Sequence, residues 1–264
     1  MLKENEVDVL ISNTTTGLSV PSLDAKLMNK IHFSPQTKRI PLFGLGCLAG
    51  TAALNRIAEY LEGHPFEAAI FFTVEICSIN MQFDDTSITN LISSGLFGDG
   101  AAAVLMVGDK HPLAKNSALK WVAGRSTFFP NTERVMGWDF IDTGMKILMG
   151  KEIPEYAIEA AREIHQLLAP FELKKEDIDW YCVHPGGPKI LSVLEKEMNL
   201  PKEALHSSWE VLAKRGNVSS VTILLVLEEM LKSSLSNPSK KGSRGLLMSL
   251  GPAFCSEIGL WEKC

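Results

Sequence analysis

Residues 44–63 read GLGCLAGTAALNRIAEYLEG, and this stretch decides the fold of the chain. It continues the short apolar segment 39–44, which reads RIPLFG and suits a buried strand. After the glycines, apolar side chains recur at helical spacing. One stripe of the predicted helix consists of Leu48, Ala52, Ile57 and Leu61. The sequence therefore predicts a strand that passes through a glycine-rich turn into a helix, with Cys47 at the turn.

Strand-like and helix-like segments alternate along the rest of the chain. Short apolar runs that suit buried strands lie at 7–12, 68–74, 97–108, 118–124, 178–184 and 245–251. Helical patterns lie at 23–31, 155–168 and 221–232. A polar loop at 108–117 divides the series, so we expect an α/β fold in two related halves, residues 1–112 and 113–264, with mixed sheets covered by helices.

Composition excludes several classes of protein. With 264 residues and 45% hydrophobic residues, the chain is long enough for a real core, and its net charge of −5 argues against a general nucleic-acid binder. No apolar run has the length of a membrane span, and the N-terminus lacks the apolar core of a signal peptide. The five cysteines form no CxxC pair, so we expect reduced thiols and a cytoplasmic protein.

Cys47 has several possible roles. A lone cysteine is most often a small buried apolar residue. At the start of a helix, however, free N–H groups and the helix dipole favour a thiolate, and Gly44, Gly46 and Gly50 would leave room for a ligand near the sulfur. The same glycines resemble a dinucleotide-binding turn, although their GxGxxxG spacing departs from the usual GxGxxG. Metal binding is the weakest alternative, because no Cys or His pair has ligand spacing.

Two residues are candidate partners for a reactive cysteine. His184 ends the apolar strand DWYCVH and enters the turn PGGP, which would hold its ring at the carboxyl edge of a sheet, where ligands of α/β proteins bind. A purely structural turn histidine is the alternative. Asn217 precedes the apolar helix 221–232 and has the position of an ordinary N-cap. Because Ser219 and Ser220 could cap that helix equally well, the Asn217 amide is free for another role.

Five motifs, taken together, resemble one family. They are GLGCLAGTAALNRIAEYL (44–61), LFGDGAAAVL (96–105), VHPGGPKIL (183–191), RGNVSS (215–220) and SLGPAF (249–254). In this order and spacing they resemble the type III polyketide synthases, the chalcone synthase-like branch of the thiolase superfamily. HPGGP followed by GNxSS is the most specific part of the resemblance, which runs from about residue 8 to the C-terminus.

The resemblance implies a thiolase-like fold and a decarboxylative Claisen condensation of an acyl-CoA starter with malonyl-CoA. Cys47 would be the nucleophile, paired with His184 as a thiolate, and His184 and Asn217 would complete the triad as oxyanion donors. No metal and no permanently bound cofactor is implied, since the coenzyme A thioesters are substrates. The partner implied is a second copy of the chain in a homodimer.

The resemblance also implies substrate-binding residues. Phe97 matches an aromatic gate, and Ile147 falls where plant members usually have a second gating Phe. The pocket-lining positions correspond to Thr15, Thr16, Asn80 and Ser219, and Asn80 replaces the commoner Thr. Gly251 and Pro252 belong to a late loop beside the cavity, where Ala253 replaces a usual Gly.

The chain departs from the family at its start. Family members carry about a third more chain before this point, including the first strands of the N-terminal half and basic residues that contact coenzyme A phosphates. We therefore expect an incomplete N-terminal half, apolar faces that make the chain associate, and poor turnover by the chain alone. Two other functions remain open: another ketoacyl synthase that uses carrier-protein or long-chain acyl substrates, and a truncated, catalytically silent subunit.

Overall fold

The computed structural model describes residues 2–201, 203–232 and 241–264. The first of two four-stranded sheets in this part of the chain consists of β1 (Val9–Asn13), β2 (Lys38–Leu42), β3 (Ala68–Ile76) and β4 (Asp99–Val107). The strand order is β2-β1-β3-β4. The first three strands are parallel, and β4 returns antiparallel to β3.

A second sheet is built from the later part of the chain. Its strands are β5 (Leu119–Phe128), β8 (Trp180–Val183), β9 (Arg244–Gly251) and β10 (Cys255–Lys263), in the order β5-β10-β9-β8. Strands β8 and β9 are parallel, whereas β10 is antiparallel to both of its neighbours. A separate hairpin is formed by β6 (Met136–Ile141) and β7 (Gly144–Met149).

Helices form the other layers. They are α1 (Leu23–Met28), α2 (Ala49–Gly63), α3 (Ile88–Leu96), α4 (Ile153–Arg162), α5 (Ile164–Leu168), α6 (Pro188–Glu197), α7 (His206–Arg215) and α8 (Thr222–Lys232). Helices α2 and α8 lie between the two sheets and pack on both. Helices α4, α5 and α6 cover the far side of the second sheet.

The middle layer makes one core out of both sheets. Ile11 of β1 and Phe71 of β3 share a buried cluster with Leu54 of α2, Ile223 of α8 and Leu247 of β9. Because this core joins side chains from both sheets, the two sheets are held in a fixed relation to each other. The α/β class with mixed, helix-covered sheets is confirmed, whereas the division at residues 112 and 113 stays a prediction.

Two strands are less buried than the sequence predicts. Segments 39–44 and 97–108 were expected to be buried, but β2 is exposed along most of its length and β4 alternates between exposed and half-buried residues. In the described part of the chain, each is an edge strand with one strand neighbour. The apolar composition of these segments therefore indicated a strand correctly and its burial wrongly.

An apolar surface runs along residues 76–92, between β3 and α3. Its exposed members are Ile76, Ile79, Met81, Phe83, Ile88, Leu91 and Ile92, and Phe83 is 87% exposed. Contiguous apolar surface of this kind is uncommon on monomeric proteins. No helix within the described residues is both long and apolar enough to cross a bilayer.

The contact of α2 with α8 yields a stability prediction. An added β-carbon at Gly50 would lie 2.3 Å from Ile223 Cγ2 and 2.7 Å from the Ser220 carbonyl oxygen. We expect Gly50→Ala to lower the free energy of unfolding by about 1–3 kcal/mol, as overpacking does. Gly63→Ala is the matched control on the same helix, because its β-carbon would meet nothing within 4 Å. Urea denaturation measures both, and equal stabilities would contradict the packing argument.

Candidate active site

The predicted site residues gather where parallel strands of both sheets end. Thr15 follows β1, Cys47 follows β2, Asn80 follows β3 and His184 follows β8. Gly251 is the last residue of β9. Carboxyl ends of parallel strands are the usual place for ligands in α/β folds, because the connecting loops meet there.

Cys47 lies in a short 3-10 turn, Gly46–Leu48, that runs directly into α2. The side chain is partly exposed. Its sulfur lies 3.7 Å from Ser219 Oγ and 3.9 Å from Asn217 Oδ1. The structure therefore brings Cys47 next to two predicted residues, Asn217 and Ser219, that lie 170 and 172 positions further along the chain.

The glycines around Cys47 serve the packing of the protein. A β-carbon at Gly46 would lie 2.9 Å from Pro252, and one at Gly251 would lie 2.6 Å from the Leu48 β-carbon. Together with the contact at Gly50, these distances show that the turn is pressed against α8 and the loop after β9. The interpretation that Gly46 and Gly50 leave room for a ligand is therefore wrong. Gly44, with φ of 84° and open space around it, is the exception.

The Asn217 amide is oriented by its own turn. Its oxygen accepts a hydrogen bond from the Ser219 backbone N–H at 2.9 Å, and its NH₂ donates to the Gly186 carbonyl at 3.3 Å. Gly186 belongs to the turn that follows His184. The turn of the one predicted donor, His184, is therefore hydrogen-bonded to the side chain of the other, Asn217. The two serines considered as caps of α8 have other contacts, since the Ser220 hydroxyl donates to Glu75 and the Ser219 hydroxyl lies 3.7 Å from the Cys47 sulfur.

His184 is 3% exposed, and neither ring nitrogen has a hydrogen-bond partner among the described residues. Burial lowers the pKa of His184 to about 4. Burial also raises the pKa of Cys47 to about 11, and the hydrogen bond with Ser219 opposes that rise. Without a substrate, the site therefore favours a neutral imidazole and a thiol. The Cys47–His184 ion pair stays a prediction.

Phe97 lies beside Asn217 through backbone pairing. The Gly98 N–H donates to the Asn217 carbonyl at 3.0 Å, and the Asn217 N–H donates to the Leu96 carbonyl at 2.8 Å. The Phe97 ring also meets Trp138 of β6, with a centroid distance of 5.8 Å. Trp138 was not predicted, although residues 136–149, MGWDFIDTGMKILM, hold two short apolar runs around a turn that contains glycine.

Ile147 lies opposite Trp138 in the hairpin register. It also lines a groove of about 270 Å³ between the hairpin and the start of α3, together with Arg134, Lys146 and Asn90. Both cations of this groove are already paired, Lys146 with Asp85 at 2.8 Å and Arg134 with Asp139 at 2.7 Å. The structure thus places Ile147 opposite Trp138, which contacts Phe97, and the gating roles of Ile147 and Phe97 stay predictions.

Several predicted pocket residues present polar atoms that lack partners. Thr15, Thr16 and Asn80 are each at most 9% exposed. Thr15 Oγ1 and Asn80 Nδ2, like the two nitrogens of His184, have no hydrogen-bond partner in the described chain. Buried polar groups normally find partners, so these atoms indicate a polar space for water or ligand. No group of three or more potential metal ligands occurs among the described residues.

The burial of His184 has a measurable consequence. Its folded pKa of about 4 lies below the ordinary 6.5, so the unfolded chain binds a proton first as the pH falls. Stability is present above pH 6.5 and is lost towards pH 4. We expect the free energy of unfolding to fall by about 2 kcal/mol between pH 7 and pH 5.

Urea denaturation at the two pH values measures this loss. His184→Gln removes the buried imidazole, so the loss should disappear in this variant. His165→Gln removes an exposed histidine and is the control, so it should keep the loss. The same slope in both variants would contradict it.

Comparison with known proteins supplies the family. Residues 120–261 match the family model "Chalcone and stilbene synthases, C-terminal domain". Residues 1–123 match "FAE1/Type III polyketide synthase-like protein". The two matches together extend over almost the whole chain, and the first alone covers more than half of it.

Individual relatives agree with these matches. A Bacillus subtilis protein that carries the name of a chalcone synthase is 39% identical over 98% of this chain and 72% of its own length. The 1,3,6,8-tetrahydroxynaphthalene synthase of Streptomyces peucetius is 38% identical over 97% of this chain and 67% of its own. The crystal structure of the synthase of that name from Streptomyces coelicolor A3(2) aligns with a TM-score of 0.92 and 31% identity, over 99% of this chain and 73% of that one. The chain, thiolase-like in fold, belongs to the type III polyketide synthase family.

Proposed function

We propose that this chain is an acyltransferase that loads an acyl group from an acyl-CoA onto Cys47 and condenses it with malonyl-CoA. The observation that carries the proposal is the placement of the Cys47 sulfur within 4 Å of Asn217 and Ser219, at the edge where His184 ends its strand. Family membership supports the same chemistry. The coenzyme A thioesters are substrates in this proposal, and no permanently bound cofactor takes part.

In the loading step, the Cys47 thiol gives its proton to a ring nitrogen of His184, and the thiolate attacks the thioester carbonyl of the acyl-CoA. The carbon–sulfur bond to coenzyme A breaks, and the coenzyme A thiolate leaves with the electron pair. The free nitrogens of His184 support this role. The high pKa of Cys47 means that the thiolate forms only as the substrate arrives.

In the condensation step, malonyl-CoA loses carbon dioxide and negative charge collects on its thioester oxygen. The Asn217 NH₂ is the proposed donor to that oxygen, together with His184. Its present bond to the Gly186 carbonyl is long, at 3.3 Å, so a better acceptor can replace it. The resulting carbanion attacks the acyl group on Cys47, which leaves as thiolate. A donor of this kind typically contributes a few kcal/mol to the rate.

The remaining predicted residues shape the substrate pocket in this proposal. Thr15, Thr16, Asn80 and Ser219 line it, Phe97 and Ile147 gate it, and Gly251 and Pro252 close one wall. The contact of Pro252 with Gly46 supports the last assignment, because it places the late loop against the nucleophile turn.

We also propose that a second copy of the chain is the partner and that the cytoplasm is the compartment. The apolar surface along residues 76–92 supports association. All five cysteines are free thiols, which supports a reducing compartment.

The nucleophile is tested by acyl labelling. Incubation with an acyl-CoA, followed by peptide mass spectrometry, should place the acyl group on Cys47 and on no other cysteine. Burial raises the pKa values of Cys77 and Cys182 as well, and both thiols are enclosed by the core. Cys47→Ala should abolish labelling, and Cys264→Ala, which removes an exposed thiol, should leave it unchanged. Labelling at Cys77 or Cys182 with Cys47 unmodified would contradict the proposal.

The role of Asn217 is tested by separating the two steps. Asn217→Ala should still acquire the acyl group on Cys47. Its release of carbon dioxide from malonyl-CoA should fall on the order of a hundredfold, the usual effect of removing one oxyanion donor. Asn116→Ala, at an exposed position, is the control. Equal loss of both steps in Asn217→Ala would instead indicate a structural role in the turn before α8.

A further inference from the structure

Glu75 is the buried group that the proposed mechanism leaves unexplained. It lies near the end of β3 and is fully buried. None of the ion pairs formed by the described residues involves it. A buried carboxylate without a cation is costly unless hydrogen bonds compensate for the water it has lost.

Two separate segments supply most of those hydrogen bonds, and the Asn13 NH₂ at the end of β1 donates a longer one at 3.4 Å. From the loop after β1, the Thr15 and Thr16 backbone N–H groups donate to Glu75 at 3.0 and 3.1 Å, and the Thr16 hydroxyl donates at 3.0 Å. From the turn before α8, the Ser220 hydroxyl donates at 2.5 Å. Because backbone N–H groups can only donate, the charged carboxylate is the form that suits this arrangement.

The turn before α8 flanks the nucleophile. Ser220 follows directly after Ser219, whose hydroxyl lies 3.7 Å from the Cys47 sulfur, and Asn217 belongs to the same turn. Ser219 has φ of 49°, a strained left-handed conformation that its surroundings must hold in place. The hydroxyl of Thr16 is fixed as well, since it accepts from the Ile76 N–H at 2.9 Å while it donates to Glu75.

We propose that Glu75 is a positioning residue whose carboxylate joins the Thr15–Thr16 loop to the Asn217–Ser220 turn and so sets the surroundings of Cys47. The role rests on the proposed function of Cys47 as the nucleophile. Glu75 belongs to the first sheet, whereas Ser220 belongs to the segment before α8. The carboxylate therefore ties the donor turn to the first sheet, together with Asn13 and Thr73, which also bond to the Ser220 hydroxyl.

The charge of Glu75 gives this role an electrostatic signature. Burial is the main reason for the raised pKa of Cys47, and repulsion from the Glu75 carboxylate raises it further. The other titratable group that interacts with Cys47 is Cys77, just after β3, and the polar groups next to its sulfur belong to Asn217 and Ser219. His184, at the end of β8, is the proposed proton acceptor. Removing the Glu75 charge should therefore make the Cys47 thiol easier to ionise.

The test measures thiol chemistry and amide exchange, neither of which needs turnover. In Glu75→Gln, the midpoint of the pH profile for Cys47 alkylation by iodoacetamide should move down by about half to one pH unit. Alkylation at a fixed pH below the midpoint then becomes roughly three- to tenfold faster. Backbone hydrogen exchange should also rise in peptides that cover residues 14–17 and 216–221. The side-chain NH₂ of the introduced glutamine cannot accept a hydrogen bond, so some N–H and O–H groups that bonded to the carboxylate lose their acceptor.

Glu257→Gln is the matched control. Glu257 is 1% exposed in β10, where it is bound by Asn55, Ser126 and Arg56, so its loss perturbs an equally buried network. This variant should shift neither the alkylation midpoint nor exchange in the two peptides. The same changes in Glu257→Gln, or no change in Glu75→Gln, would overturn the proposal.

A second variant keeps the test decisive if Glu75→Gln does not fold. Ser220→Ala retains the carboxylate and removes the bond of the hydroxyl to Glu75, together with its bonds to Asn13 and Thr73. Exchange should rise at residues 216–221 and stay unchanged at 14–17, and the alkylation midpoint should not move. Unchanged exchange at 216–221 would overturn the positioning role. If hydrogen exchange and the alkylation midpoint behave as expected but the unmodified protein does not transfer an acyl group, the proposed function is contradicted and the positioning role of Glu75 is not.

Discussion

The close approach of α2 and α8 at Gly50 is the contact on which the rest of the structure depends. It brings the start of one helix, with Cys47, next to the start of the other, with Asn217 and Ser219. Each helix packs on both sheets, so the same contact sets the spacing of the sheets and the geometry of the site. A substitution that separates the helices would therefore cost stability and also move the proposed donors away from the nucleophile.

Burial governs the chemistry of the resting site. It opposes charge on Cys47 and on His184 alike, and the carboxylate of Glu75 adds to the effect at the thiol. A cysteine held as a thiol is less open to oxidation and alkylation than a thiolate.

The fold class could be predicted from the sequence because strand and helix signals are local. Cys47, His184 and Asn217 became candidates because each stands where an apolar segment meets a glycine-containing turn. The resemblance to a family, rather than the spacing, implied their roles. Glu75 and Glu257 could not be found in this way. Each lies inside an apolar strand, and the groups that satisfy it come from distant parts of the chain. The hairpin β6–β7 escaped prediction for a related reason, since its register depends on contacts with α3 and the loop before it rather than on its own periodicity.

That hairpin has an evolutionary consequence. It belongs to neither four-stranded sheet. Met136 and Met149 anchor it on the core that covers the second sheet, whereas Trp138 contacts Phe97 and Lys146 pairs with Asp85 at its other contacts. Insertions, deletions and changes of side-chain size there would leave the shared core and the nucleophile turn intact. Changes in the hairpin could therefore alter the surroundings of Phe97 in descendants of this chain, while the packing of the two sheets is inherited unchanged.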